Sequence, residues 1–212
     1  AVLRQSHRFV SPSFAARARL NADAKEWIAH RAADMVKDGD SILMDASTTV
    51  YHMATFLQDC RNLTIFTNGL EIAKAVAKNP ANSTILLGGV VRQDGSSVTG
   101  HLGERILKDL HINTAFVSCS GFSVEAGLTQ FDLQEAQLKS HMIECAKRVV
   151  ALIDSSKFGQ TSLTPFATID QLSHIVTDSN ISPACIDQLR QTNVSLIICG
   201  ETTASSFAPS RS

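Results

Sequence analysis

The sequence predicts an α/β fold in three layers, a parallel sheet between two layers of helices, and three observations carry that prediction. Short apolar runs alternate with longer segments whose apolar residues recur at helical spacing, the order that builds βαβ units. The runs, such as Ile42-Leu43-Met44, are apolar without strict alternation, as strands buried on both faces are. Successive runs also end in small or hydrogen-bonding residues: Asp45-Ala46-Ser47-Thr48, Thr67-Asn68-Gly69, Gly88-Gly89, Ser120-Gly121 and Asp154-Ser155-Ser156-Lys157. Ligands of open parallel sheets sit outside the carboxyl ends of the strands. This convergence therefore points to a polar, phosphate-bearing ligand.

Residues 1 to about 20 carry Arg4, Arg8, Arg17 and Arg19 with few acids, and Pro12 breaks any period. They read as an arm or linker, a solvated extension in the plainer case; a basic start is also what lies downstream of a DNA-binding module. Asn21 is expected to cap a helix running to about Lys37, with Trp27, Ile28, Ala32, Met35 and Val36 as its stripe and Gly39 as its stop. The strand Ile42–Met44 runs into Ser47, Thr48 and Thr49, which open a helix marked by Val50, Met53, Ala54 and Leu57. Leu63 to Thr67 is the second strand, Asn68-Gly69 a turn, and Glu71 to Lys78 a helix closed by Asn79-Pro80. Thr84 to Leu87 is the third strand, and Val90 to Thr99 an irregular or hairpin segment. Gly100 to Leu110 is a helix and Ile112 to Ser118 the fourth strand. A loop then leads to Asp132, which caps a long helix with Glu135 at its third position, a variant of the capping box. Arg148 to Ile153, His174 to Thr177 and Val194 to Cys199 are the remaining strands, with a helix from Pro183 to Gln191 between the last two. One domain is thus expected over residues 21–200, followed by a short polar tail, 201–212, expected to be disordered.

The 212 residues are 44% hydrophobic and 18% charged, enough for one domain with a substantial core. A net charge of −1 leaves no basic footprint for nucleic acid. The five cysteines are scattered without a C-x-x-C, so neither a zinc site nor a disulfide framework is indicated, which suits a reducing cytoplasm. The start lacks the apolar core of a signal peptide, and no run approaches a membrane span, so no membrane association is expected. Dinucleotide, P-loop and zinc-protease motifs are absent, and no cofactor, metal or catalytic residue is indicated.

The stretch from Ser47 to Thr49 is where a ligand is most expected. The first amides of a helix have no internal partners, and the dipole adds partial positive charge there. One hydroxyl would satisfy a cap; three in a row make an anion cradle. Lys157 follows another strand end and could reach the same anion. Glu135 and Lys139, at i and i+4, are either a surface ion pair contributing about 0.2–0.5 kcal/mol or a carboxylate and ammonium aimed at a sugar. Gly88-Gly89 either lets backbone approach a ligand or simply makes a tight turn.

The motifs D-A-S-T-T at 45–49, T-N-G-L at 67–70, L-G-G at 87–89, S-G-F with G-L-T at 120–129, E-A-Q-L-K at 135–139 and D-S-S-K-F-G at 154–159 occur in this order. Together they resemble the C-terminal effector-binding domain of the DeoR family of bacterial transcriptional regulators, over about residues 12 to 200. The resemblance implies a Rossmann-like fold similar to ribose-5-phosphate isomerase and glucosamine-6-phosphate deaminase. It implies a sugar phosphate as effector, and operator DNA bound only through an N-terminal winged helix-turn-helix absent from this chain. On that pattern Ser47, Thr48 and Thr49 would hold the phosphate, and Asp45, Asn68, Gly88, Gly89, Arg92, Gly121, Glu135, Lys139 and Lys157 would line the sugar site. The chain departs from the family in having Ser47 where Gly is frequent, and Ser118-Cys119-Ser120-Gly121 where Gly-Ala-Asn-Gly is usual. A homo-oligomer, dimer or tetramer, is expected, and a repressor without turnover. A phosphosugar isomerase or deaminase is the alternative that the same Asp/Glu/Lys set would serve.

Overall fold

A computed structural model describes residues 12–200. In chain order its elements are α1 (Phe14–Arg19), α2 (Ala22–Ala33), β1 (Ser41–Met44), α3 (Thr48–Met53), β2 (Thr64–Thr67), α4 (Leu70–Val76), β3 (Ser83–Leu86), β4 (Val90–Val91), β5 (Val98–Thr99), α5 (His101–Lys108), β6 (Ile112–Val117), β7 (Gly121–Ser123), β8 (Gly127–Gln130), α6 (Leu133–Glu144), β9 (Ala146–Leu152), β10 (Thr164–Ala167), β11 (His174–Asp178), α7 (Pro183–Arg190) and β12 (Ser195–Cys199).

Seven strands form one parallel sheet in the order β12-β11-β9-β6-β1-β2-β3. Its two faces are both apolar because side chains alternate across each strand. Ile42 and Met44 join Ile65, Phe116, Val150 and Leu152 under α2, α3 and α4. Leu43 joins Ala115, Val117, Val149 and Ala151 under α5, α6 and α7. The period-2 division explains why the strands read as continuous apolar runs. From β1 the chain moves outward through β2 and β3, then crosses to the other side of β1 to lay down β6, β9, β11 and β12. The switch point thus falls between β1 and β6.

Several elements differ from the sequence expectation. The helix expected to run to Lys37 ends at Ala33. The amides of Met35 and Val36 turn back to the carbonyls of Ala32 and Ala33, and Arg148 takes the carbonyl of Met35. Asn21 does not cap it: the residue has φ 54°, and its amide donates instead to Asp154 Oδ1 at 3.1 Å. Between residues 12 and 20, where an arm was expected, α1 forms, with Ser13 Oγ accepting from the amide of Ala16. The segment 90–99 is a hairpin of β4 and β5. The loop expected before Asp132 contains β7 and β8, which pair with β10 in a three-stranded antiparallel sheet. These strands are three or four residues long. Pro165 in β10 argues against a strand unless it lies on an edge, as it does here. Asp132 does cap α6, accepting from the amide of Glu135 at 2.9 Å. The expected disordered tail lies outside the described residues.

Gly127 opens β8 at φ +68°, and a Cβ there would lie 1.9 Å from the carbonyl oxygen of Ala167 on the neighbouring strand. Gly127→Ala meets both a left-handed backbone and a backbone clash. It is expected to lower stability by at least about 2 kcal/mol, a fall of roughly 4–8 °C in Tm by calorimetry.

Candidate functional site

The carboxyl ends of β1, β6 and β9, adjacent in the sheet, open into a cavity of about 330 Å³. That volume is within the range of small-molecule sites. It lies at the switch point, where strand ends diverge and leave a crevice.

Its floor is organised by Asp45, the residue after β1, which is fully buried. One carboxylate oxygen accepts from the amide of Ser47 at 3.0 Å, the other from the amide of Ser118 at 2.8 Å. Lys139 reaches from α6 to within 2.9 Å of Asp45 Oδ2 and donates to the carbonyl of Ser118 at 2.8 Å, with its own ammonium buried. Lys139 therefore pairs with Asp45, not with Glu135 as helical spacing allowed. Both ions are desolvated, and the pair is sustained by the amides of Ser47 and Ser118 on Asp45 and by the carbonyl of Ser118 on Lys139. Asp45 itself does not line the cavity; it fixes the residues that do.

Ser47 caps α3, its Oγ accepting from the amide of Val50 at 3.2 Å. Ser47, Thr48 and Thr49 all line the cavity, and the amides at the start of α3 lack intrahelical partners. Lys157, in a 3-10 turn after β9, lines the same space and makes no ion pair among the described residues. Asp154, 2% exposed, accepts from Asn21 and from the hydroxyl of Ser156.

Also in the lining, Arg92 lies 3.0 Å from Asp132 and 3.2 Å from Glu135. Glu135 is held further: Oε1 accepts from Ser97 Oγ at 2.9 Å and Oε2 from Gln130 Nε2 at 2.6 Å. The arrangement is a braced ionic cluster, with each carboxylate oxygen already engaged.

Thus Ser47, Thr48, Thr49, Arg92, Glu135, Lys139 and Lys157 come together around one cavity, whereas Asn68, Gly88, Gly89 and Gly121 do not line it. Asn68 is buried, accepting from the amide of Ala46 and donating to the carbonyl of Val98, so it braces the β1 loop from behind. The glycines serve backbone packing. A Cβ on Gly89 would lie 2.3 Å from the carbonyl oxygen of Thr99 across the hairpin, and one on Gly121 would lie 2.6 Å from that of Gln160. The carbonyl of Gly88 packs on Gly103 of α5. Residues that the sequence reading missed are Arg17 of α1, Asn21 between α1 and α2, Lys25 of α2, and Gln130, Asp132 and Asp154. Asp154 stood in a strand-end motif and was within reach; the α1 residues carried no local signal.

Lys25 is buried and donates to the carbonyls of Arg17 and Leu20. Burial pulls its ammonium below the ordinary lysine value, an effect opposed by the charge of Asp154. Cys119 sits on the floor, its thiol pushed up to about 12 by burial.

An open parallel sheet whose switch-point cavity is lined by hydroxyls, cations and carboxylates defines a binding domain for a small polar ligand. Residues 20–179 match the family model of the DeoR C terminal sensor domain. The chain belongs to the DeoR family of transcriptional regulators, as its ligand-sensing domain. It is 37% identical over 181 residues to the uncharacterized HTH-type transcriptional regulator YulB of Bacillus subtilis (strain 168), covering 85% of this chain and 70% of the relative. It is 34% identical over 168 residues to the L-fucose operon activator of Haemophilus influenzae, covering 79% and 67%. Among solved structures, eIF2B delta from Chaetomium thermophilum superposes with a TM-score of 0.51 at 14% identity, over 72% of this chain and 54% of that one. That likeness is one of fold alone. Ribose 5-phosphate isomerase A from Methanocaldococcus jannaschii superposes with a TM-score of 0.48 at 16% identity, over 65% and 55%.

Removing one member of the Asp45–Lys139 pair leaves the other charge buried. Asp45→Asn and Lys139→Met are each expected to cost about 3–5 kcal/mol in chemical denaturation, and the double variant less than the sum of the two. Because its thiol is protonated and buried, Cys119 is expected to resist iodoacetamide at pH 8 in the native chain and to react once denaturant is added, as read by mass spectrometry.

Proposed function

We propose that this domain senses a phosphorylated sugar, held in the switch-point cavity, and that the sugar modulates operator binding by a winged helix-turn-helix N-terminal to it in a cytoplasmic, homo-oligomeric repressor. The observation that carries the reading is that Ser47, Thr48, Thr49 and Lys157 line one and the same cavity. Three hydroxyls, unpartnered amides and one cation with no carboxylate partner among the described residues suit a phosphate dianion, which would accept several charge-assisted hydrogen bonds. Arg92, Gln130, Asp132 and Glu135 line the same cavity and give it a polar wall, which suits the hydroxyls of a sugar.

Sensing rather than turnover follows from the state of Glu135. An aldose–ketose isomerase needs a carboxylate free to take a proton from carbon. Here both oxygens of Glu135 accept hydrogen bonds and Arg92 stands beside them, so the carboxylate is committed to Ser97, Gln130 and Arg92 rather than free to take a proton from carbon.

A thermal-shift panel of ribose 5-phosphate, fructose 6-phosphate and glucosamine 6-phosphate, each beside its dephosphorylated sugar, tests the reading. A fitting phosphosugar at about 100 times its Kd is expected to stabilise the chain by about 2.7 kcal/mol, a rise of roughly 5–11 °C. Thr48→Ala and Lys157→Ala are expected to lose most of that rise, with no product formed by any of the proteins. Equal shifts from free sugar and phosphosugar, or steady product abolished by Glu135→Gln, would overturn it.

A further inference from the structure

We infer that α1 is a strap over the cavity, with Arg17 as an effector contact, and that it is the element through which occupancy of the cavity is felt outside the sensor domain. The inference rests on the sugar-phosphate reading above and adds a residue to it. The family match begins at residue 20, so α1 lies before the matched span.

α1 has no buried residue. Its apolar attachment is slight: the ring of Phe14 meets Tyr51 edge-on, with centroids 5.2 Å apart. What holds it is polar and is concentrated on cavity residues. Lys25 gathers the carbonyls of Arg17 and Leu20, and His52 faces the carbonyl of Ala18 at 3.1 Å. Arg17 donates to the carbonyl of Pro12 at 2.8 Å and stands 3.6 Å from Asp94, at the turn of the β4–β5 hairpin. Asn21, in the left-handed region at φ 54°, ties the junction of α1 and α2 to Asp154 and Ser156.

The physical consequence follows from charge. Arg17 lines the same cavity as Ser47–Thr49 and Lys157. Its ion pair with Asp94 is longer than a direct hydrogen bond, and its side chain is 31% exposed, so that pairing is weak. A phosphate dianion in the cavity offers the guanidinium a stronger, bidentate partner. A segment with few buried contacts lies at the low-stability end of the fold, where ligand contacts shift order most. Filling the cavity therefore recruits Arg17 and orders α1, the stretch that joins anything N-terminal to the sensor core.

Hydrogen exchange on the 212-residue chain, alone and with each of the three phosphosugars and inorganic phosphate, tests this, with Arg17→Ala as the variant. A probe that raises Tm is expected to slow exchange both at Met44–Met53 and at Ser13–Leu20. In Arg17→Ala, whose unliganded Tm should match the parent, affinity is expected to fall about 10- to 100-fold. Slowing at Ser13–Leu20 should vanish even when Met44–Met53 is protected at saturation. Protection of Met44–Met53 alone, with parental affinity in Arg17→Ala, would make α1 a bystander while leaving the sugar-phosphate reading intact. Absence of protection anywhere with every probe would overturn both.

Discussion

The ion pair between Asp45 and Lys139 is the constraint on which the rest of the site depends. It links the end of β1 to α6 across the switch point, at 2.9 Å, and it also binds both backbone groups of Ser118 at the end of β6. Two strand ends and one helix are therefore held in one register by two buried charges. Such a pair contributes little net stability, because desolvating both ions offsets most of their attraction. What it supplies is position: the Ser47 amide is drawn to Asp45, α3 starts where Ser47 turns, and Thr48 and Thr49 line the cavity as a result.

The polar residues around the cavity divide by whether their bonding capacity is already used. Asp45, Asn68, Lys139, Asp154 and Glu135 are engaged by backbone or by neighbouring side chains and act as scaffold. Thr48, Thr49 and Lys157 retain capacity and face the open space. A floor fixed by used groups and a rim with unused ones suits binding with discrimination. A rigid acceptor array rejects ligands that leave its members unpaired.

The rim differs in stability from the floor. Floor residues sit on the central strands of a seven-stranded sheet, beneath apolar layers on both faces. The rim contributed by α1 has no buried residue and is joined through hydrogen bonds and one weak ion pair. Ligand energy acts most on the part with least of its own.

The sequence by itself determined the sheet and the polar residues at its strand ends. Apolar runs buried on both faces, polar strand ends and the hydroxyls opening α3 are local features, and the strand order needs only right-handed crossovers to place them on one edge. The short β7, β8 and β10 and the helix α1 escaped notice because they are too brief to carry a period, and Pro165 obscured one of them. Tertiary structure alone decided the partners. Helical spacing offered Lys139 to Glu135, four residues away, but folding gave it to Asp45, 2.9 Å away in space and far along the chain. Gly89 after β3 and Gly121 at the start of β7 were drawn toward a ligand by their position, yet they meet backbone from Thr99 and Gln160. Arg17 and Asn21 reached the cavity from a stretch with no motif. Periodicity reports which face a residue shows to the core; only the closing of the chain in space fixes which charge meets which, because Coulomb and hydrogen-bond energies depend on distance and desolvation rather than on sequence separation.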